Sequence, residues 1–198
     1  MSNFGEIILE SSLGGLEIIN KPATSMPQEL ATAIGEINEG ILGATYDPIW
    51  IVGQQIVNGI NYYVICKEVR ATREKDTRII NMIINVPPIS SDGQRKKAKA
   101  VKIIEEADLP KDVRLAFDSA MVLVGVSYKP LAYVGHQLVS KSTNHYFICQ
   151  AMPIVLDPEP YPVFVCINTS FEGQNKVIAI EPIEPGLVGY AFTWLRNS

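Results

Sequence analysis

Two stretches of the chain place apolar residues at helical spacing, and most of what lies between them alternates at strand spacing. In the segment 27–43, PQELATAIGEINEGILG, Leu30, Ile34, Ile37 and Ile41 step by 4, 3 and 4 positions. That spacing lines one face of a helix. In 110–125, PKDVRLAFDSAMVLVG, Val113, Phe117, Ala120 and Val124 make the same steps 83 positions later. Pro27 and Pro110 stand where each helix begins, a place that tolerates a missing N–H. The pattern predicts two helices of about 15 residues each. After each helix the period shortens to that of strands, predicted over 47–57, 60–70, 77–86 and 96–106, and again over 130–139, 144–153, 162–170 and 176–183. An apolar run at 189–195 predicts a last strand. Turn residues separate these runs: Asn58-Gly59, PPISSDG (87–93), DPEPYP (157–162) and FEGQN (171–175).

The chain repeats itself. YDPIWIVGQQIVNGINYYVICK (46–67) aligns with YKPLAYVGHQLVSKSTNHYFICQ (128–150). Tyr46, Pro48, Val52, Gly53, Gln55 and Val57 recur as Tyr128, Pro130, Val134, Gly135, Gln137 and Val139. Asn61, Tyr63, Ile65 and Cys66 recur as Asn144, Tyr146, Ile148 and Cys149, after one residue inserted near the loop tip. Each copy therefore reads as one helix followed by an antiparallel meander, and the economical packing lays the helix's apolar stripe across one face of a curved sheet. The expected class is α+β. A boundary near EEADLP (105–110) gives two domains, 1–107 and 108–198.

Composition narrows the classes of function. With 198 residues, 47% hydrophobic and 19% charged, the chain is that of a soluble globular protein. No apolar stretch approaches the roughly 20 residues of a membrane helix. The start, MSNFGEIILESS, lacks the basic and apolar regions of a signal peptide, which predicts a cytoplasmic location. A net charge of −4 provides no field for nucleic acid, and the basic run RKKAKAVK (95–102) reads as a solvated strand or linker. Cys66, Cys149 and Cys166 form no disulfide framework and no CxxC pair, so reduced thiols are expected. Cys66 and Cys149, at equivalent positions, read as filling a small buried apolar slot, and Cys166 as lying on a buried strand face. His136 and His145 are too few for a metal centre or a triad. No metal or cofactor is expected. Acidic residues such as Asp47, Glu105 and Glu106 form no pattern shared between the copies, so an enzyme is not expected.

One hairpin carries a motif. Gln55, Ile56, Val57, Asn58 and Gly59 fit Q-x-V-x-G, and Asn61-Tyr62-Tyr63 follow. Upstream, GGLEIINKPAT (14–24) joins Gly14-Gly15-Leu16 to Lys-Pro-Ala-Thr. Downstream, NVPP (85–88) puts Val86-Pro87 at the next hairpin. In this order the segments resemble the cystatin family, stefins especially, over about residues 14–106. The spacer in the trunk is one residue longer here, and Val86-Pro87 is a loose match to the family's second hairpin. The second copy matches only through the repeat. The resemblance implies two tandem cystatin-like domains and occlusion of a papain-like cysteine protease by the first.

In that reading Gly14, Gly15, Leu16, Gln55, Ile56, Val57, Asn58, Gly59, Val86 and Pro87 form an apolar wedge that contacts the protease. The glycines, lacking Cβ, would let the backbone pass close to a catalytic thiol. Asn58-Gly59 is expected to take φ > 0 at both positions. The second copy has Lys141 in place of the loop glycine and is not expected to inhibit. A second reading stays open: a non-inhibitory interaction or assembly module, a virion component or self-associating part for instance, in which the tail GLVGYAFTWL (186–195) docks a partner.

Overall fold

The computed structural model describes residues 16–72 and 76–183. The predicted strand at 189–195 and the residues before Leu16 lie outside the described residues. The chain divides into two compact units between Glu105 and Glu106. The first unit holds strand β1 (Leu16–Pro22), a 3₁₀ turn (Ala23–Ser25), helix α1 (Gln28–Gly40) and strands β2 (Ala44–Val57), β3 (Gly59–Arg70), β4 (Thr77–Val86) and β5 (Lys99–Ile104). The second holds helix α2 (Lys111–Ala120) and strands β6 (Val126–Val139), β7 (Ser142–Pro153), β8 (Tyr161–Ser170) and β9 (Asn175–Pro182). The two sheets are antiparallel meanders of order β1-β2-β3-β4-β5 and β6-β7-β8-β9.

Each helix follows a proline that cannot extend it backward. The Pro27 carbonyl accepts from the N–H groups of Leu30 and Ala31, both at 3.1 Å. Leu30, Ile34 and Ile37 of the predicted stripe are buried, with Ala33 beside them, whereas Ile41 follows the helix and is half-buried. That stripe joins Tyr62, Val64, Cys66, Ile80 and Met82 in one cluster. Asn38 ties the helix to the strand after it, donating from Nδ2 to the Tyr46 carbonyl at 3.0 Å and accepting the Tyr46 N–H at 2.9 Å. In α2, Val113, Ala116 and Phe117 are buried, and Phe117 meets Phe147 edge-on at 5.0 Å.

The duplication is visible in the backbone. β2 breaks register against β3 between Pro48 and Trp50 and between Ile51 and Gly53. β6 breaks register against β7 between Pro130 and Ala132 and between Tyr133 and Gly135, the equivalent positions. A bulge bends its strand and tightens the local twist, so the bend itself is repeated.

The expected class is corrected. Strands hold 56% of the described residues and helices 16%, in two sheets with only α1 and α2 beside them. The molecule is mainly antiparallel β, and not two tandem cystatin-like domains of the helix-on-sheet α+β type. One physical reason is that each sheet buries both of its faces. Ile65 and Ile79 alternate with Val64, Cys66 and Ile80, and all five are at most 2% exposed. Ile148 and Phe164 do the same beside Phe147 and Val165. A helix covers only one such face. The second reason is length, for α2 ends at Ala120. Val122 and Val124 after it are β-branched and disfavour helix, and Val124, predicted on the helical stripe, is fully exposed.

The strand β1 is legible in the sequence only as a leader. Its longer spacer is taken up by a bulge between Ile18 and Lys21, where Asn20 adopts φ 55°. Asparagine tolerates that left-handed region better than most residues, and its Oδ1 accepts from Trp50 Nε1 at 2.9 Å. The strand β5 and the residues before it carry the basic run: Lys96, Lys97, Lys99 and Lys102 are exposed. Lysines on an edge strand oppose pairing with another sheet. Among the described residues no helix is long and apolar enough to cross a membrane.

Candidate functional site

At one end of the first sheet three strand ends come side by side. Leu16 at the start of β1 pairs with Gln55, Val57 pairs with Gly59 around the tip, and Ile60 pairs with Val86 at the end of β4. Gly14 and Gly15 lie outside the described residues. The remaining predicted site residues, Leu16, Gln55, Ile56, Val57, Asn58, Gly59, Val86 and Pro87, are thus gathered at this end.

The tip differs from the expectation for Asn-Gly. Only Gly59 takes positive φ, at 97°; Asn58 does not. A single residue separates the paired Val57 and Gly59, whereas the type I′ turn that puts φ > 0 at both centres needs two. Gly59 is fixed for a second reason as well. A Cβ there would lie 2.2 Å from the Val86 carbonyl oxygen and 2.9 Å from Pro87 Cα. The first hairpin therefore touches the second through a backbone contact that only glycine permits. Gly53 plays the same part toward β1, since its Cβ would lie 2.4 Å from the Glu17 carbonyl oxygen.

Exposure sorts the site residues by role. Ile56 is 80% exposed and Val57 43%, with Asn58 exposed between strands. Val86 is 5% exposed and belongs to the core cluster, so it does not offer the surface expected of it. The sequence alternation explains this: Ile80, Met82, Ile84 and Val86 share the inward face of β4. Its place on the surface is taken by Pro88 and Ile89, the latter 72% exposed, which sequence reading missed. The signal was the apolar residue following Pro87-Pro88, hidden inside a stretch that reads as a turn.

Polar groups brace this end, and the charged ones among them lie outside the two tips. Residues 55–60 and 85–91 contain no ionisable side chain. Gln54 Nε2 donates to Glu17 Oε2 at 2.8 Å, Tyr63 hydroxyl to Gln55 Oε1 at 3.4 Å, and Asn85 Nδ2 to Asn61 Oδ1 at 2.8 Å. The loop after Pro88 closes on itself: Ser90 N–H donates to the Gln94 carbonyl at 2.7 Å and Gln94 N–H to Asp92 Oδ1 at 3.0 Å. The Ser90 hydroxyl, then the Gln94 N–H, hold the Asp92 carboxyl below its ordinary range. Glu36 on α1 anchors the far end, accepting from Arg95 at 2.7 Å and from the Ala98 N–H at 2.8 Å. The second loop is thus held in place before any partner arrives, which reduces the entropy lost on docking.

The second unit builds its tip differently. Ser140 and Lys141 turn between the paired Val139 and Ser142, and neither has positive φ. Lys141 is exposed.

No nucleophilic thiol is available at the first tip. Burial, then the charge of Asp47, pushes the Cys66 thiol far above its ordinary value, and burial does the same to Cys149. Burial raises Cys166 to about 12. All three cysteines are free and buried. Tyr133 hydroxyl lies 2.9 Å from His145 Nδ1 in the second unit. Among the described residues no three His, Cys, Asp or Glu side chains are grouped to hold a metal ion. What this end offers is an aliphatic, preformed edge of two touching loops, with the exposed carboxylates of Glu17 and Asp92 beside it. Compared with the models of known protein families the chain matches none, and no characterised protein matches it either.

Proposed function

We propose that the end of the first sheet formed by Ile56 to Gly59 and Pro87 to Ile89 is a wedge that enters the cleft of a papain-like cysteine protease and occludes it. The observation that carries this reading is the backbone contact of Gly59 with Val86 and Pro87, which holds the loop of exposed Ile56 and Val57 against the loop that exposes Ile89. The Q-x-V-x-G motif and the Gly-Gly-Leu trunk supply the choice of target. Occlusion needs no bond to be cut and no group to be ionised. Burying one exposed isoleucine contributes about 1.5–3 kcal/mol, so Ile56 and Ile89 together supply roughly 3–6 kcal/mol, and the remainder of a micromolar affinity, about 8 kcal/mol in all, comes from the other contacts of the two loops in this reading.

The test is titration of a papain-like enzyme with the full chain, read on a small peptide substrate. Micromolar chain is expected to abolish activity, and Ile56→Asp to weaken inhibition by at least about tenfold, the equivalent of about 1.4 kcal/mol. An enzyme left fully active overturns the reading. If the same chain then sediments as an oligomer, the assembly reading takes its place. Exposed aliphatic surface for that exists on the second unit, at Val122, Val124, Ile154 and Leu156.

A further inference from the structure

Beneath the first turn of the helix the two units have different floors. In the first unit Ile60, Tyr62 and Val86 form it, with Ile60 paired to Val86 across β3 and β4. Tyr62 is 1% exposed, belongs to the core cluster, and donates from its hydroxyl to Glu29 Oε1 at 3.0 Å. A phenol thus bridges strand and helix and ends on a carboxylate of the helix's first turn. The repeat puts Thr143, His145 and Thr169 at the same positions, and Thr143 pairs with Thr169 as Ile60 does with Val86. Glu29 becomes Asp112, 83 positions later. Three positions of the apolar core have become polar and half-buried.

His145 does not bridge to the helix as Tyr62 does. Its ring leans toward β6, with Nδ1 2.9 Å from the Tyr133 hydroxyl and the His136 ring centred 6.2 Å away. Asp112 is one carbon shorter than Glu29 and exposed. Here a cavity of about 370 Å³ opens, walled by Pro110, Asp112 and Val113 on the helix side. His136, Thr143, His145 and Thr169 wall it on the sheet side, and Phe171, 72% exposed, also lines it. That volume lies within the range of small-ligand pockets. The lining holds one carboxylate and no lysine or arginine, which disfavours an anion.

We propose that this cavity binds a small phenol, whose ring takes the space that Tyr62 fills in the first unit and whose hydroxyl donates to Asp112. The ligand supplies from solution the group that the second copy has lost. Val113 and the methyl groups of Thr143 and Thr169 offer apolar surface to the ring, and Phe171 offers an aromatic neighbour. Binding here makes no use of the first unit's tip, so the two activities are separable.

The test uses the full chain and two probes, para-cresol and its methyl ether, which cannot donate. Binding is read from the amide and imidazole resonances of the protein. Millimolar para-cresol is expected to shift the signals of Thr143, His145 and Thr169. The ether should bind at least about fivefold more weakly, since it forms no hydrogen bond to the carboxylate. No shift with either probe overturns the site, and equal binding of both overturns the hydroxyl contact. In Asp112→Ala the difference between the probes should vanish, because the acceptor is gone. A difference that persists there overturns the role of Asp112. His145→Tyr restores the side chain of the first unit and should abolish binding in a chain that still unfolds cooperatively. Such a chain binding para-cresol as tightly as the parent overturns the placement of the ligand.

Discussion

Asn85 reaches across to Asn61 at 2.8 Å in the first unit, and Asn168 reaches across to Asn144 at 2.7 Å in the second. Tyr63 donates to Gln55, and Tyr146 to Gln137, again at equivalent positions. Other equivalent positions have diverged. Glu68, 3% exposed, bonds Arg78 and pairs with Arg70 in the first unit; in the second its place is Ala151, also buried. The tip glycine has become a turn through Ser140 and Lys141. The loop after β3 runs through Ala71, Thr72 and Asp76, while its counterpart exposes Ile154, Val155 and Leu156. What both copies retain holds the hairpins in register, and what differs lies at the ends of the sheets and in one buried charge. Gln55 therefore belongs with the frame, while Ile56, Val57 and Gly59 belong with what distinguishes the first unit.

The largest effect should come from Gly59. Alanine there meets both a positive φ and a backbone oxygen 2.2 Å away, so Gly59→Ala should cost roughly 3 kcal/mol in denaturant unfolding. Gly173, at the corresponding end of the second sheet, has φ 83°, and a Cβ added there would meet nothing within 4 Å. Gly173→Ala should cost only about 1 kcal/mol, the penalty of the left-handed region alone. Equal costs would mean that the contact of Gly59 with Val86 and Pro87 contributes nothing.

Next comes the charge that, among the described residues, only the first unit buries. Burial by itself would raise the Glu68 carboxyl, but the hydrogen bond and charge of Arg78, with Arg70 behind them, hold it below its ordinary value. Glu68→Gln should cost about 2 kcal/mol near neutral pH, the scale of a hydrogen bond to a charged group. A depressed carboxyl stabilises above its unfolded value of about 4.3 and loses that contribution as pH falls through the lower folded value. The gap between the parent and Glu68→Gln should therefore be full at pH values well above that and shrink as the solution is acidified. A gap that stays constant through the acid range would show that Glu68 does not titrate in this way.

The repeat, the order of the strands and the helical stripes were legible because they are periodic, and because the second copy states them again. The class was not, since the spacing of apolar residues shows which face of α1 is buried and not how much of each sheet is buried on its other face. β1 escaped because its strand character comes from its partner: the bulge at Ile18 and Lys21 breaks the alternation, and half-buried Ile18 and Ile19 follow one another. A Val-Pro corner suggests surface at Val86, yet the alternation of β4 carried to its end turns that side chain inward. At Asn58-Gly59 the dipeptide suggests a two-residue turn, and the register allows one residue between paired positions. Ile89 carries no periodic signal at all, since a loop's exposure depends on anchors as distant as Glu36.

The smallest effect tests the shared frame itself. Tyr146 hydroxyl donates to Gln137 at 2.8 Å in a buried setting, and burial pushes its phenol up to about 12. Tyr63 makes the equivalent bond at 3.4 Å and is half-buried. A short bond between buried groups contributes more than a long one with water nearby, because losing it leaves the partner desolvated. Tyr146→Phe should cost about 1 kcal/mol and Tyr63→Phe about half of that or less, read as shifts in unfolding midpoint. Should Tyr63→Phe prove the costlier, the first hairpin would depend on its polar brace more than the second does, and Gln55 would have to be moved from the frame to the wedge.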